Sequence, residues 1–214
     1  MQTPKPPSPS AEAIRRATAE FQLTVNDEQV QQIQQYIEIL LRWNAKMNLT
    51  AIHDRLEILY RHFCESMYGA VAIPVEKCRL ADVGSGGGFP GLPLKIIRPE
   101  IDLFLIESNV KKATFLTEVL RELGLSGVRV LVSRYEELSE EVAPLDIVCA
   151  RAVGDFGPFL EWASSPVLST TKVALWIGAQ DAEALRRLQK WEWQEPKSIP
   201  HSLRRLILVG SPKR

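Results

Sequence analysis

Between residues 82 and 94 the chain reads DVGSGGGFPGLPL, which gathers five of its twelve glycines into one short stretch. Gly86, Gly88 and Gly91 spell G-x-G-x-x-G, the spacing with which a dinucleotide-binding turn brings backbone against a pyrophosphate. Counted from Asp82 and Gly84, the same residues give D-x-G-x-G-x-G. Five clustered glycines exceed what a bare turn needs and point to a ligand lying close to the backbone. Three residues separate the ligand classes. Pro90 and Pro93 fit only a first helical turn, so the next helix should open at about Leu92 or Pro93, too late for Gly86 to stand at its mouth. Asp82 would repel phosphate and suits a cation. Glu107 ends the next apolar run and is placed for ribose hydroxyls, which any adenosine ligand carries. S-adenosylmethionine, with a sulfonium, an ammonium and no phosphate, suits these residues better than NAD or a flavin dinucleotide.

A loop of this kind needs strands to hold it. CRLADV (78–83) reads as the strand before it and DLFLIE (102–107) as the next, followed by a helix capped at Ser108 and stopped at Gly124. GVRVLV (127–132), LDIVCA (145–150) and TKVALWI (171–177) are further apolar runs of strand length. WEWQEP and RRLILVG lie close together with no helical pattern between them, which suggests an antiparallel ending. Alternating strands and helices with near-continuous apolar strands predict an α/β fold, a doubly wound, mostly parallel sheet covered on both faces. Upstream, Asn26 or Asp27 opens a helix carrying Val30, Ile33, Ile37, Leu40 and Leu41, and NAKMNLTAI leaves it. A second helix from about Asp54 turns Leu56, Leu59, Tyr60, Phe63 and Met67 inward. The expected organisation is a disordered, proline-rich leader (1–24), an N-terminal helical cap (25–73) ending at Pro74, and the sheet domain (74–214).

The composition, 45% hydrophobic and 24% charged, suits a soluble globular protein. No apolar run is long enough to span a bilayer, and the first residues lack the apolar block of a secretory signal. Cys64, Cys78 and Cys149 are too far apart to suggest a metal site and read as buried thiols in a reducing cytosol. Net charge is zero, yet from Arg186 onward eight basic residues face only Glu192 and Glu195. That excess is either a solvated tail or a patch that meets phosphates. In the second case Arg204, Arg205 and a helix bearing Arg186, Arg187 and Lys190 are the expected contacts.

The glycine stretch also carries a resemblance. DVGSGGGFPGLPLKII is similar to the signature of the RsmG (GidB) family of 16S ribosomal RNA guanine methyltransferases. RWNAKMNLTAI, RHFCES, ESNVKKATFLTEVLRELGL, SRYEEL and DIVCARAV resemble further elements of that family in order and spacing, from about Leu40 to Leu208. The resemblance implies the Rossmann-like fold of class I S-adenosylmethionine-dependent methyltransferases and methyl transfer to ring nitrogen 7 of one guanine. It implies 16S ribosomal RNA or the small ribosomal subunit as partner, no membrane, and a cytoplasmic monomer. Cofactor contacts are implied at Gly84, Phe89, Tyr135, Glu136 and Arg151, joining Asp82 and Gly86 from the turn itself and Glu107 from the end of the next strand. Ring nitrogen 7 has a lone pair and no proton, so no catalytic acid or base is assigned, and no metal. The sequence departs from the family at two places. Glu65 stands where the family has Asp in the element from His62 to Ser66. Trp176 and Ile177 stand where its lysine is expected, so a contact there is lost or replaced by stacking on Trp176. The same residues also fit a methyltransferase of this fold acting on another substrate, or a non-enzymatic RNA-binding module.

Overall fold

The computed structural model describes residues 8–73, 76–151 and 154–213; Pro74, expected to mark a boundary, lies outside them. Within the stretch 1–24, expected as a disordered leader, the described residues from Ala11 to Glu20 form a helix. Helix α1 (Ala11–Glu20) is capped by Ser10, whose side chain accepts from the Ala13 N–H. Its Ile14 and Ala17, with Phe21 just beyond, are at most 1% exposed. Helix α2 (Asp27–Asn44) opens with a capping box in which Asn26 and Gln29 each satisfy the other's backbone N–H. Asn44 ends it by accepting from the Leu49 and Thr50 amides.

Asp54 then caps a helical run made of α3 (Arg55–Ile58), a π-helical turn (Leu59–Cys64), α4 (Glu65–Met67) and α5 (Gly69–Ala72). The wider π turn brings residues four apart into line, so Leu59, Phe63 and Met67 are buried together. Leu56, expected to point inward, is 51% exposed.

The alternating half follows: β1 (Arg79–Val83), α6 (Gly91–Ile97), β2 (Asp102–Ile106), α7 (Val110–Leu123), β3 (Val128–Leu131), α8 (Ser139–Val142), β4 (Ile147–Arg151), α9 (Phe156–Ala163), β5 (Lys172–Gly178), α10 (Ala179–Arg186), then β6 (Trp191–Trp193), β7 (Lys197–Ser198) and β8 (Arg205–Pro212). Asn109, not Ser108, caps α7, its side chain accepting from the Lys112 N–H. The sheet order is β3-β2-β1-β4-β5-β8-β6, with β7 on β8. The first five strands are parallel and β8 runs antiparallel to β5, with Gly178 opposite Arg205. One face packs against α6, α7 and the N-terminal helices, the other against α8, α9 and α10. The winding reverses between β1 and β4, which opens a crevice at their carboxyl ends.

Candidate functional site

A cavity of about 280 Å³ occupies that crevice, lined by Gly84 after β1, Ser108 after β2, Arg134, Tyr135 and Glu136 after β3, and Arg151 at the end of β4. Gly84 and Ser85 both donate backbone bonds to the Ile106 carbonyl, at 2.9 and 3.1 Å, which ties the glycine turn to β2. Gly84 has φ +69°, and a Cβ built on it would meet nothing within 4 Å. A side chain there would be strained and would project into open space, so glycine leaves both the conformation and the volume free for a ligand. At Gly88 (φ +83°) the reason differs. A Cβ would come 2.1 Å from the Tyr36 hydroxyl, which itself donates to the Gly87 carbonyl at 2.6 Å. Helix α2 thus grips the turn from behind.

The structure separates the expected contacts into two groups. Gly84, Tyr135, Glu136 and Arg151 meet at the cavity. Tyr135 packs edge-on against Phe159 and Trp162, while Glu136 is exposed. Gly86 and Glu107 are joined to each other instead: the Gly86 N–H donates to Glu107 Oε2 at 2.9 Å, and Oε1 accepts from the Asn109 N–H at 2.8 Å. The amide that a dinucleotide turn would aim at a pyrophosphate therefore faces a carboxylate, and α6 opens at Gly91, one residue before the earliest start expected from the prolines.

Asp82 and Phe89 do not line the cavity. Asp82 is fully buried beneath the turn, accepting from the Gly91 N–H at 3.0 Å, with Cys149 Sγ 3.8 Å from its other oxygen. Burial pushes its carboxyl up to about 7, against the opposing effect of the Gly91 bond. Phe89 turns into the helical cap, stacked on His62 (4.7 Å) and on Tyr36 (5.6 Å). His62 Nε2 lies 2.6 Å from Thr50 Oγ1, and burial, with Arg151 and Arg61 nearby, pushes the imidazole down to about 3. It is neutral at ordinary pH.

Arg151 donates to the Arg61 carbonyl at 2.9 Å and faces the Glu65 carboxylate at 4.0 Å. Sequence reasoning missed Ser108, Ser133 and Arg134 as cavity residues. Each lies two or three residues past the end of a parallel strand, and that position was the available signal.

Several residues expected near RNA have partners within the protein. Trp176 is 5% exposed, its Nε1 donating to the Glu65 carbonyl at 2.8 Å and its ring lying where a Gly69 Cβ would be. It has no face free to stack on a base. Arg205 is committed to Glu65, and Arg186 and Arg187 pair with Glu195 and Glu183. Lys190 lies beyond the end of α10.

The family model described as rRNA small subunit methyltransferase G matches residues 29–206. The chain is 37% identical over 154 residues to the ribosomal RNA small subunit methyltransferase G of Dichelobacter nodosus, covering 72% of each protein. It is 40% identical over 147 residues to the protein of that name in Streptococcus pneumoniae, covering 66% of this chain and 62% of that one. A SAM-dependent methyltransferase from Aquifex aeolicus shares the fold at TM-score 0.59 and 13% identity, over 81% of this chain and 98% of that one.

Proposed function

The chain belongs to the rRNA small subunit methyltransferase G family, and from that membership we propose that it methylates ring nitrogen 7 of one guanine in 16S ribosomal RNA with S-adenosylmethionine as donor. The single observation that carries the cofactor assignment is Gly84, whose positive φ and missing side chain open the backbone where β1, β2 and β4 converge on a cavity. The lining fits the group. The Gly84 backbone would hold its polar end, the Tyr135–Glu136 segment its adenine, and Arg151 its carboxylate or a neighbouring RNA phosphate. When bound, S-adenosylmethionine supplies an electrophilic methyl group on a sulfonium.

The protein's own share of the work is positioning. Tyr36, His62 and Phe63 clamp Phe89 from the cap, so the glycine turn is set before any ligand arrives. The Arg61 carbonyl and Glu65 hold the Arg151 guanidinium at the cavity wall. Alignment of two reactants in a fixed crevice can lower a barrier by several kcal/mol without proton transfer. None is needed, because ring nitrogen 7 of guanine attacks through its lone pair. Among the described residues lining the cavity there is no histidine or cysteine.

Among the described residues no helix is long and apolar enough to cross a membrane. The enzyme acts as a monomer in the cytoplasm, where ribosomal subunits are made. Purified protein incubated with methyl-labelled S-adenosylmethionine and unmethylated small subunits should label one guanine, located by mass spectrometry of the digested RNA. Label on another base, or none, would overturn the assignment.

A further inference from the structure

Leu203 stands wholly in solvent, at 104% exposure; among the described residues the next most exposed large hydrophobic side chain is Val110 at 67%. A single apolar residue in water is ordinary on a protein surface. Leu203, however, tips a loop between β7 and β8 that is tied down on both sides of it. The Ser202 N–H donates to the Ile199 carbonyl at 3.1 Å, and Ser202 Oγ accepts from the Arg205 N–H at 3.0 Å. Ile199 is buried. His201 Nε2 lies 3.0 Å from Glu20 Oε2, with its ring against Phe21 and Tyr60. His201 also holds φ +59°, a left-handed conformation that is costly for a residue with a side chain. Strained backbone fixed beneath a bare leucine points to a contact made by that leucine.

The loop stands at the crevice end of the sheet. Arg205, two residues after Leu203, is opposite Gly178 at the end of β5. Its partner Glu65 also faces Arg151, which lines the cofactor cavity. Arg204, next to the leucine, is exposed and enters no ion pair among the described residues. Ring nitrogen 7 lies on the guanine edge that faces the deep, narrow major groove of a paired RNA helix, where side chains do not reach it. A guanine brought to a methyl donor in the crevice must therefore leave its stack, and a gap opens between its neighbours. Apolar side chains, leucine among them, wedge between bases in that way. Resting on the rRNA assignment above, we propose that Leu203 is a positioning residue that enters the RNA stack beside the target guanine while Arg204 meets the adjoining phosphate.

Leu203→Ala tests it on the full chain, because a side chain this exposed can be cut back without loss of thermal stability. The substrate is the small subunit reconstituted with 16S ribosomal RNA that carries 2-aminopurine, a base that brightens when unstacked, beside the target guanine. The parent should brighten the probe on binding and the variant should leave it dim. Single-turnover methylation should fall at least tenfold in the variant, while S-adenosylmethionine affinity stays at the parental value. Leu203→Met, still long and apolar, should recover both signals. Equal methylation rates in parent and Leu203→Ala would overturn the wedge. Equal brightening would overturn it whatever the rates, since the leucine would then touch ribosomal protein or RNA backbone. A parent that methylates the subunit without brightening the probe would overturn it too. If the parent does not methylate the subunit at all, the substrate assignment has failed and the wedge falls with it; methylation by the parent separates the two failures.

Discussion

Glu65 and Arg205, 140 positions apart, meet in a bidentate pair: Arg205 Nε donates to Oε2 at 2.8 Å and Nη2 to Oε1 at 2.6 Å. The carboxylate side is 5% exposed and the guanidinium side 33%. The pair fastens the helical cap to the last strand, and the backbone carbonyl of the same Glu65 accepts from Trp176 on β5. Removing one partner of a buried pair strands the other. Arg205→Ala should therefore destabilise the protein by about 2 kcal/mol, below the full cost of a wholly buried pair because the arginine is partly solvated. Urea unfolding measures this, and a loss under about 0.5 kcal/mol would place the pair with the weak surface bridges.

Much of this architecture was legible in the sequence. The five parallel strands announced themselves as apolar runs, and the prolines after the glycines placed the start of α6 to within one or two residues. Helix α1 was missed because the proline- and serine-rich opening outweighed a short stripe, Ile14, Ala17 and Phe21, preceded by the cap Ser10. Other features had no local signature. Glu65 could be read as a carboxylate but not as the partner of a strand far downstream. Trp176 looked like a free aromatic until its indole N–H was found bonded inside the cap interface. Asp82 shares a motif with Gly84, yet the pleat of β1 turns its side chain beneath the turn, toward Gly91, while Gly84 meets the cavity.

Two buried groups should act oppositely on stability as pH changes. The Asp82 carboxyl titrates at about 7 in the folded chain, above an ordinary value near 3.9 when unfolded, so the native state holds the extra proton between those values. Its contribution to stability falls as pH rises from about 4 to about 7. His62 titrates at about 3 when folded and near 6.5 when unfolded, so there the unfolded state holds the extra proton. Its contribution is lost as pH falls from about 6.5 to about 3. Each fully engaged group changes stability by about 1.4 kcal/mol per pH unit. Asp82→Asn should make stability fall more steeply on acidification below pH 6.5, and His62→Gln should make it fall less steeply. Denaturant midpoints measured at several pH values would show it; slopes that both move the same way contradict the assignment.

Gly84 offers a direct test of the cofactor cavity. Since a Cβ there meets no protein atom, Gly84→Val should fold. The branched residue at positive φ should cost about 1–3 kcal/mol in strain and fill the cavity mouth. Calorimetry should show S-adenosylmethionine binding to the parent, no NAD binding, and at least a tenfold loss in the variant. Equal affinity in parent and variant would remove Gly84 from the site.

Arg204 and Arg205 adjoin in sequence but should behave differently toward RNA. Arg205 is spent on Glu65, whereas Arg204 is exposed and enters no ion pair among the described residues. Gly178 at the end of β5 pairs with Arg205, so Arg204 stands at the same end of the sheet as the crevice. An unpaired guanidinium there can meet a phosphate beside the target base, and its loss releases one counterion fewer on binding. Arg204→Ala should therefore weaken binding of 16S ribosomal RNA and flatten the salt slope by roughly 0.7–0.9. Unfolding stability and S-adenosylmethionine affinity should stay at parental values. Arg205→Ala should lose stability first, and any loss of RNA binding should follow the unfolded fraction. A salt slope for Arg204→Ala equal to the parent's would mean that this arginine faces only solvent, and the RNA-binding surface would have to lie elsewhere on the protein.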